Sequence, residues 1–347
     1  MVLVRVVLVG FGSVGRSLAK LIAYKGFYVR DRFNVDIRVV GVVDSRGMAF
    51  KVGGFDGLEL LKLANLPRSS VSQFTPYAVD YVDLNMLYDT VNPDVHVELT
   101  PSNYESGAPS LGNVMLALRR GAHVVTASKA PLVLAYDEVM GLARSRGLRV
   151  RFSATVMGGS PFVKVLEGMR SHEVVEVEGI LNATTNFILT LMEDELVEFE
   201  EALRRAQLLG VAEANPDLDI NGVDAAAKLV IISNILGKPV KLDNVRRVSL
   251  ATVKLKDVIT SIKENQTIKY VAKLDLKRGE AAVEPRRVKR DDTMAQVKGT
   301  LNMARIRSDV GDYVFIGKGG GGLETAHTVL NDIIEVAEVM VAGGGSG

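Results

Sequence analysis

The apolar positions along this 347-residue chain change period several times. Residues 2–9, VLVRVVLV, are a short run rich in β-branched residues, the pattern of a strand covered on both faces. From Ser13 to about Tyr24 the spacing becomes that of a helix, with Val14, Leu18, Leu21 and Ile22 on one stripe. Residues 36–43 (DIRVVGVV), 94–99 (DVHVEL) and 122–126 (AHVVT) read as further strands, and 108–120 as a helix ending at Gly121. Strands alternating with helices predict an α/β fold built on a parallel, doubly wound sheet.

After about residue 150 the texture changes. Residues 173–181, EVVEVEGIL, alternate as a half-buried strand would, and helices follow near 195–209 and 223–236. Residues 245–300 mix short strand and helix signals, and the charge run RRVKRDD at 286–292 reads as a solvated loop. A late GKGGGG, 317–322, precedes a helical stretch expected to return to the first domain. The terminal GGGSG reads as a flexible tail.

Composition narrows the function classes. With 47% hydrophobic and 24% charged residues, the chain is an ordinary globular sequence and not a disordered one. Its 42 Lys and Arg against 41 Asp and Glu give a net charge of +1, so no global field draws it to nucleic acid or an anionic membrane. The absence of Cys excludes disulfides, thiolate chemistry and Cys-ligated metals, and fits a cytoplasmic location. No apolar run reaches membrane-spanning length, and the apolar start carries Arg5 and reads as a strand rather than a signal peptide.

The first chemical signal is Gly10-Phe-Gly12-Ser-Val-Gly15, between the first strand and the first helix. Gly10 permits a tight turn, Gly12 lets backbone approach a pyrophosphate, and Gly15 lets helix and strand pack closely. The first helical turn, with Ser13 and Val14, offers unpaired N–H groups to an anion. The second strand ends VVDSRG, placing Asp44 where a carboxylate accepts from an adenosine ribose hydroxyl, with Ser45 beside it. Asp44 lies 29 residues past Gly15 (44 − 15), later than the usual ~20, and the stretch around GFYVRDRFN is expected to lengthen the connection. Arg46 can pair with a 2′-phosphate, with Lys51 as a weaker helper. NADP is the favoured cofactor and NAD the alternative.

The second signal spans 206–228, AQLLGVAEANPDLDINGVDAAAK, which gathers Glu213, Asp217, Asp219, Asp224 and Lys228 around two turns. Asp224 and Lys228 stand at i and i+4 on one helix face. The helix continues LVIISNIL, so Lys228 is expected within apolar surface rather than on an exposed face. A lysine held this way can donate or accept a proton in a reaction. The carboxylates ahead of it suit an amino group or a metal.

This segment resembles the signature of homoserine dehydrogenases, met here by Ala206, Gly210, Pro216, Asp219, Gly222, Asp224 and Lys228. Similar likenesses run along most of the chain. VGFGSVG resembles the family's cofactor turn, VELTPSN (97–103) its nicotinamide-side loop and VVTASKAPL (124–132) its lysine-bearing loop. ATVMGGSP (154–161) resembles its hinge, GILNATTNFIL (179–189) its substrate strand and helix, and GKGGGGLETA (317–326) its late glycine loop. The resemblance implies reversible reduction of aspartate 4-semialdehyde to homoserine with NAD(P)H, on the route to threonine, methionine and isoleucine. It makes Lys228 and Lys129 the catalytic lysines and gives Glu213 and Asp219 the substrate amino group. Asp224 supports Lys228, and Thr184 lies in the substrate loop. Thr100, Pro101, Ser128 and Gly320 join the cofactor site.

Three positions depart from the family pattern. Ser128 stands where Asn precedes the loop lysine, Ala183 where the substrate strand has Gly, and Ser153 where the hinge often has a cation-ligating Glu. A monovalent cation would therefore have only backbone carbonyls near Val156 and Gly158, a poor donor set. The resemblance further implies a Rossmann-type domain over 1–134 plus 318–347 and an α+β substrate domain over 152–295. Dimerisation segments are expected at 135–151 and 296–317, giving a homodimer. It points to the short form, without an aspartokinase or C-terminal regulatory domain, so threonine is not expected to act through a regulatory site. The rival readings are another Rossmann reductase of a small amino-acid aldehyde or imine, which would lack the 206–228 pattern, and a silent NAD(P) sensor, which would not need both lysines.

Overall fold

The computed structural model describes residues 1–344; the end of the glycine tail, 345–347, lies outside the described residues. Two compact units divide the chain: Met1–Gly159 with the segment from Gly321, and Ser160–Gly320. The chain passes between them twice, both times at glycine-rich sequence.

The first unit is built on seven strands: β1 (Val2–Val9), β2 (Val35–Val43), β3 (Met48–Phe50), β4 (Ala78–Val79), β5 (Val95–Glu98), β6 (His123–Thr126) and β7 (Val150–Arg151). Their order is β4-β3-β2-β1-β5-β6-β7. β2, β1, β5, β6 and β7 run parallel, and β3 and β4 add an antiparallel edge. Val4, Val6, Val7 and Leu8 of β1 are wholly buried, as a central strand between two helical layers requires. The order reverses between β1 and β5, which opens a crevice at their carboxyl ends, the usual ligand position in such sheets.

The first helix is longer than its sequence suggests. It runs Ser13–Phe33, through Gly26, and stops at Asn34, whose φ of 57° is left-handed. Gly26 costs a helix only about 1 kcal/mol, and Val29 continues the buried stripe of Leu18 and Ile22, which holds the extra turns in place. The late position of Asp44 is thus due to a long helix and not to an extended connection. The C-terminal helix Gly322–Gly344 packs Ala326, Val329, Leu330 and Ile333 into the same core as Leu18 and Ile22, as expected.

The second unit has β8 (Val174–Ile180), β9 (Val245–Arg247), β10 (Gln266–Asp275), β11 (Glu280–Lys289), β12 (Leu301–Ser308) and β13 (Gly311–Lys318), in the order β13-β12-β8-β10-β11-β9. The supposed loop at 286–292 is mostly strand: Arg286, Arg287, Val288 and Lys289 finish β11, in antiparallel register with β10. Its charges are matched by carboxylates distant in sequence, Glu178 for Arg286, Glu264 for Arg287 and Glu193 for Arg290. The segments 135–151 and 296–317, expected to form a dimer interface, contribute β7 to one sheet and β12 and β13 to the other. No described helix is long and apolar enough to cross a membrane.

Candidate active site

The glycine turn has the geometry its sequence implies. Gly10 has φ +99°, and a Cβ on it would come within 2.5 Å of the Leu99 carbonyl carbon. A Cβ on Gly15 would come within 2.7 Å of the Gly10 carbonyl oxygen, while around Gly12 nothing lies within 4 Å. Gly12 caps the helix without a side-chain hydrogen bond, so the first turn, from Ser13 and Val14, keeps its N–H groups for a ligand. Gly322 packs against Ser13, bringing the end of the late glycine segment to this turn. Gly320, at the end of the second unit, has open space around it. A dinucleotide pyrophosphate fits this cradle.

At the end of β2, Asp44 shapes its loop. Its carboxylate accepts from the backbone N–H groups of Arg46 (2.8 Å), Gly47 (3.2 Å) and Val71 (2.9 Å). Ser45 Oγ lies 3.0 Å from Ser69 Oγ. The segment 68–71 is thereby tied to 44–47, and Arg68 joins Arg46 as a second exposed cation at this edge. The sequence reading missed Arg68, because 22 residues separate it from Arg46. Lys51, the weaker helper, instead pairs with Glu59 at 2.8 Å.

On the other side of the crevice, Thr100 and Pro101 follow β5, and Lys129 is the residue before the helix Ala130–Leu134. Ser102 Oγ accepts from the Lys129 N–H at 2.8 Å and lies 3.3 Å from the buried Ser128 Oγ. The nicotinamide-side loop and the lysine loop are therefore one hydrogen-bonded assembly.

In the second unit, Lys228 sits on the helix Val223–Ile235, which starts at Gly222 in a left-handed conformation (φ 75°). Lys228 is 7% exposed. Its Nζ donates to Asp224 Oδ2 and to the Leu181 carbonyl, both at 2.6 Å. Asn182, which the sequence reading did not single out, donates to Asp219 Oδ1 at 2.6 Å and Asp224 Oδ2 at 2.9 Å. It also caps the helix Ala183–Glu195 by accepting from Thr185 N–H at 2.9 Å. Burial first, and then the neighbouring Asp224, hold the Asp219 carboxyl above its ordinary range, against hydrogen bonds from Asn182 and Thr184. Thr184 is buried beside this cluster. Glu213 is different: it is exposed, its carbonyl accepts from Gln207, and no hydrogen bond or ion pair joins its side chain to Asp219 or Asp224 among the described residues.

The hinge carries Ser153 in place of a cation-ligating carboxylate. Ser153 donates its N–H (2.8 Å) and hydroxyl (2.7 Å) to the buried Asp332. Val156 is fully buried, and a Cβ on Gly158 would press within 2.7 Å of the Ala154 carbonyl. No group of three His, Cys, Asp or Glu side chains suited to a metal occurs among the described residues. A cation here would have only backbone carbonyls near Val156 and Gly158 to hold it.

A buried lysine with a carboxylate cluster in one unit and a dinucleotide turn in the other are the equipment of a nicotinamide-dependent oxidoreductase. Family models agree. Residues 161–334 match homoserine dehydrogenase, and residues 10–153 match the NAD-binding domain of homoserine dehydrogenase. The chain belongs to the homoserine dehydrogenase family. It is 35% identical over 336 residues to homoserine dehydrogenase of Methanocaldococcus jannaschii, covering 95% of this chain and 98% of that one. It is 32% identical to an NAD(+)-dependent homoserine dehydrogenase of Pseudomonas canavaninivorans, covering 96% of each. Among solved structures, a putative homoserine dehydrogenase from Archaeoglobus fulgidus superposes with a TM-score of 0.85 at 32% identity, covering 96% of this chain and 99% of that one. A hyperthermophilic archaeal homoserine dehydrogenase in complex with NADPH gives 0.81 at 30% identity, over 96% and 98%. As a member of this family the chain is an NAD(P)-dependent oxidoreductase, and it has the fold the sequence implied.

Proposed function

We propose that the enzyme interconverts L-homoserine and L-aspartate 4-semialdehyde by lysine-assisted hydride transfer, as a step toward threonine, methionine and isoleucine. The observation that carries this is the Lys228 ammonium, buried and aimed by Leu181 and Asp224. A nicotinamide supplies or receives the hydride. Hydride arriving at the aldehyde carbon leaves negative charge on oxygen, which requires a cation and a proton. Lys228 has three N–H donors and spends two on its holders, leaving one for that oxygen. Lys129, fixed by Ser102 at its backbone, is the second lysine of the scheme. Asp219, with Glu213 from its exposed loop, pairs with the substrate ammonium, and Thr184 lines the same site. The reading is tested by following nicotinamide absorbance with homoserine and either cofactor. Turnover with homoserine is expected, and an absence of turnover with both NADP and NAD sinks it.

NADP is the preferred cofactor in this reading, with Ser45, Arg46 and Arg68 around the 2′-phosphate and the remaining lone pair of Asp44 toward the ribose. Arg46→Ala is then expected to weaken NADP(H) about tenfold, the scale of one charge-assisted pair, and NAD(H) hardly at all. Fluorescence titration with both cofactors checks this, and equal losses would remove Arg46 from the site. A homodimer is also part of the reading. The edge strand β13 leaves Val314 and Ile316 exposed on one face, suited to cover by a second copy.

A further inference from the structure

The end of β5 holds a buried ionisable network that the scheme above does not use. His96 and Glu98 are both 0% exposed. Glu98 Oε1 accepts from the N–H of Thr100 at 2.9 Å and from its hydroxyl. Glu98 Oε2 accepts from Asn113 Nδ2 at 3.0 Å and lies 3.2 Å from His96 Nε2. The other His96 nitrogen, Nδ1, is 3.0 Å from the Tyr88 hydroxyl. Burial, and then the charge of Glu98, push the Tyr88 hydroxyl far above its ordinary range, so it stays protonated. A carboxylate at Glu98 can only accept, which puts the His96 proton on Nε2 and leaves Nδ1 to accept from Tyr88. Each carboxylate oxygen therefore takes two donors.

A fully buried carboxylate is costly unless its donors are supplied, and strand β5 would end without one. What this one holds is Thr100. Glu98 stands in register with Val9, the last residue of β1, and Leu99 N–H donates to the Val9 carbonyl at 2.7 Å. On the glycine side, a Cβ on Gly10 would lie 2.6 Å from Thr100 N, so the two backbones are in contact. Two residues beyond Thr100, Ser102 takes the N–H of Lys129.

We infer that Glu98 is a positioning residue for the cofactor: its carboxylate clamps Thr100 against Gly10 and so fixes the floor of the crevice between the glycine turn and the lysine loop. The inference rests on the reading that the nicotinamide cofactor binds in this crevice. The clamp needs an acceptor at Oε1 more than it needs the charge. Glu98→Gln can keep that acceptor, because its new NH2 can donate to His96 if the ring proton moves to Nδ1 and Tyr88 accepts. Asn113 can turn its amide to present its oxygen.

The experiment measures NADPH dissociation by fluorescence titration, steady-state homoserine oxidation and thermal unfolding for Glu98→Gln, Glu98→Ala and Asn113→Ala. Glu98→Ala is expected to raise the NADPH Kd about fivefold while the homoserine KM moves less than twofold. Glu98→Gln should stay within about twofold of the unaltered enzyme in Kd. Asn113→Ala removes one of four donors, keeps the result readable if Glu98→Ala does not fold, and should raise Kd about threefold. Normal NADPH binding in the two alanine variants, with only a lower Tm, overturns the clamp, because the network is then structural alone. So does a Glu98→Gln variant that binds as weakly as Glu98→Ala. Binding of NADPH is read without homoserine, so failure of the substrate reading would show separately, as no turnover by the unaltered enzyme.

Discussion

Lys228→Ala is expected to lower kcat for homoserine oxidation about 100-fold or more, with the homoserine KM little changed. A positioned acid or base contributes on the order of 10²–10⁴-fold, and the Lys228 ammonium is positioned by two 2.6 Å contacts inside an apolar helix face. An interaction made mainly as charge develops on oxygen appears in kcat and not in KM. Lys129→Ala should fall in the same range. Steady-state rates on variants with intact thermal transitions check both. A near-normal kcat for Lys228→Ala would make that lysine a structural partner of Asp224 and remove the proposed proton step.

Much of this arrangement was legible in the sequence, for identifiable reasons. The Asp224–Lys228 pair follows from helical spacing, and the burial of Lys228 follows from the LVIISNIL that continues its helix. The glycine turn was legible because backbone geometry dictates which residues can stand there, and Gly10, Gly12 and Gly15 each meet the contact, or the open space, expected of them. The partners that come from distant segments were not legible. Leu181 and Asn182 reach Lys228 and the aspartates across 37–47 residues, and no local period announces them. Arg68 reaches the edge of β2 because Asp44 accepts from Val71 and Ser45 meets Ser69.

The errors have the same origin. The run at 286–292 looks solvated when its own charges are counted, yet Glu178, Glu264 and Glu193 neutralise it within a sheet and its flank. The helical spacing reads as ending near Tyr24, but Val29 continues the buried stripe beyond it. Glu213, which the family resemblance places with Asp219 at the substrate ammonium, stands exposed in the loop ahead of Asn215-Pro216.

Asp219→Asn should separate binding from stability. At neutral pH the folded protein keeps Asp219 close to Asp224 in a buried cluster, and burial and that second charge disfavour its ionised form. A carboxyl raised in this way contributes stability when protonated and loses it as pH rises through the folded-state value. The ionised group is then a cost that a substrate ammonium offsets. Asn keeps an oxygen toward Asn182 and removes the like charge. The Tm near pH 7.5 is therefore expected to hold or rise, with a smaller gain at acidic pH, where Asp219 is already protonated. The homoserine KM should rise roughly 10- to 100-fold, since charge-assisted hydrogen bonds are worth about 1.5–3 kcal/mol. In the unaltered enzyme, homoserine should also bind less tightly as acid protonates this carboxyl. Calorimetric melts and homoserine saturation curves on both proteins check the pair of outcomes. An unchanged KM would remove Asp219 from the ammonium site, and a Tm lowered by several degrees would make its charge a structural requirement of Asn182 and Lys228.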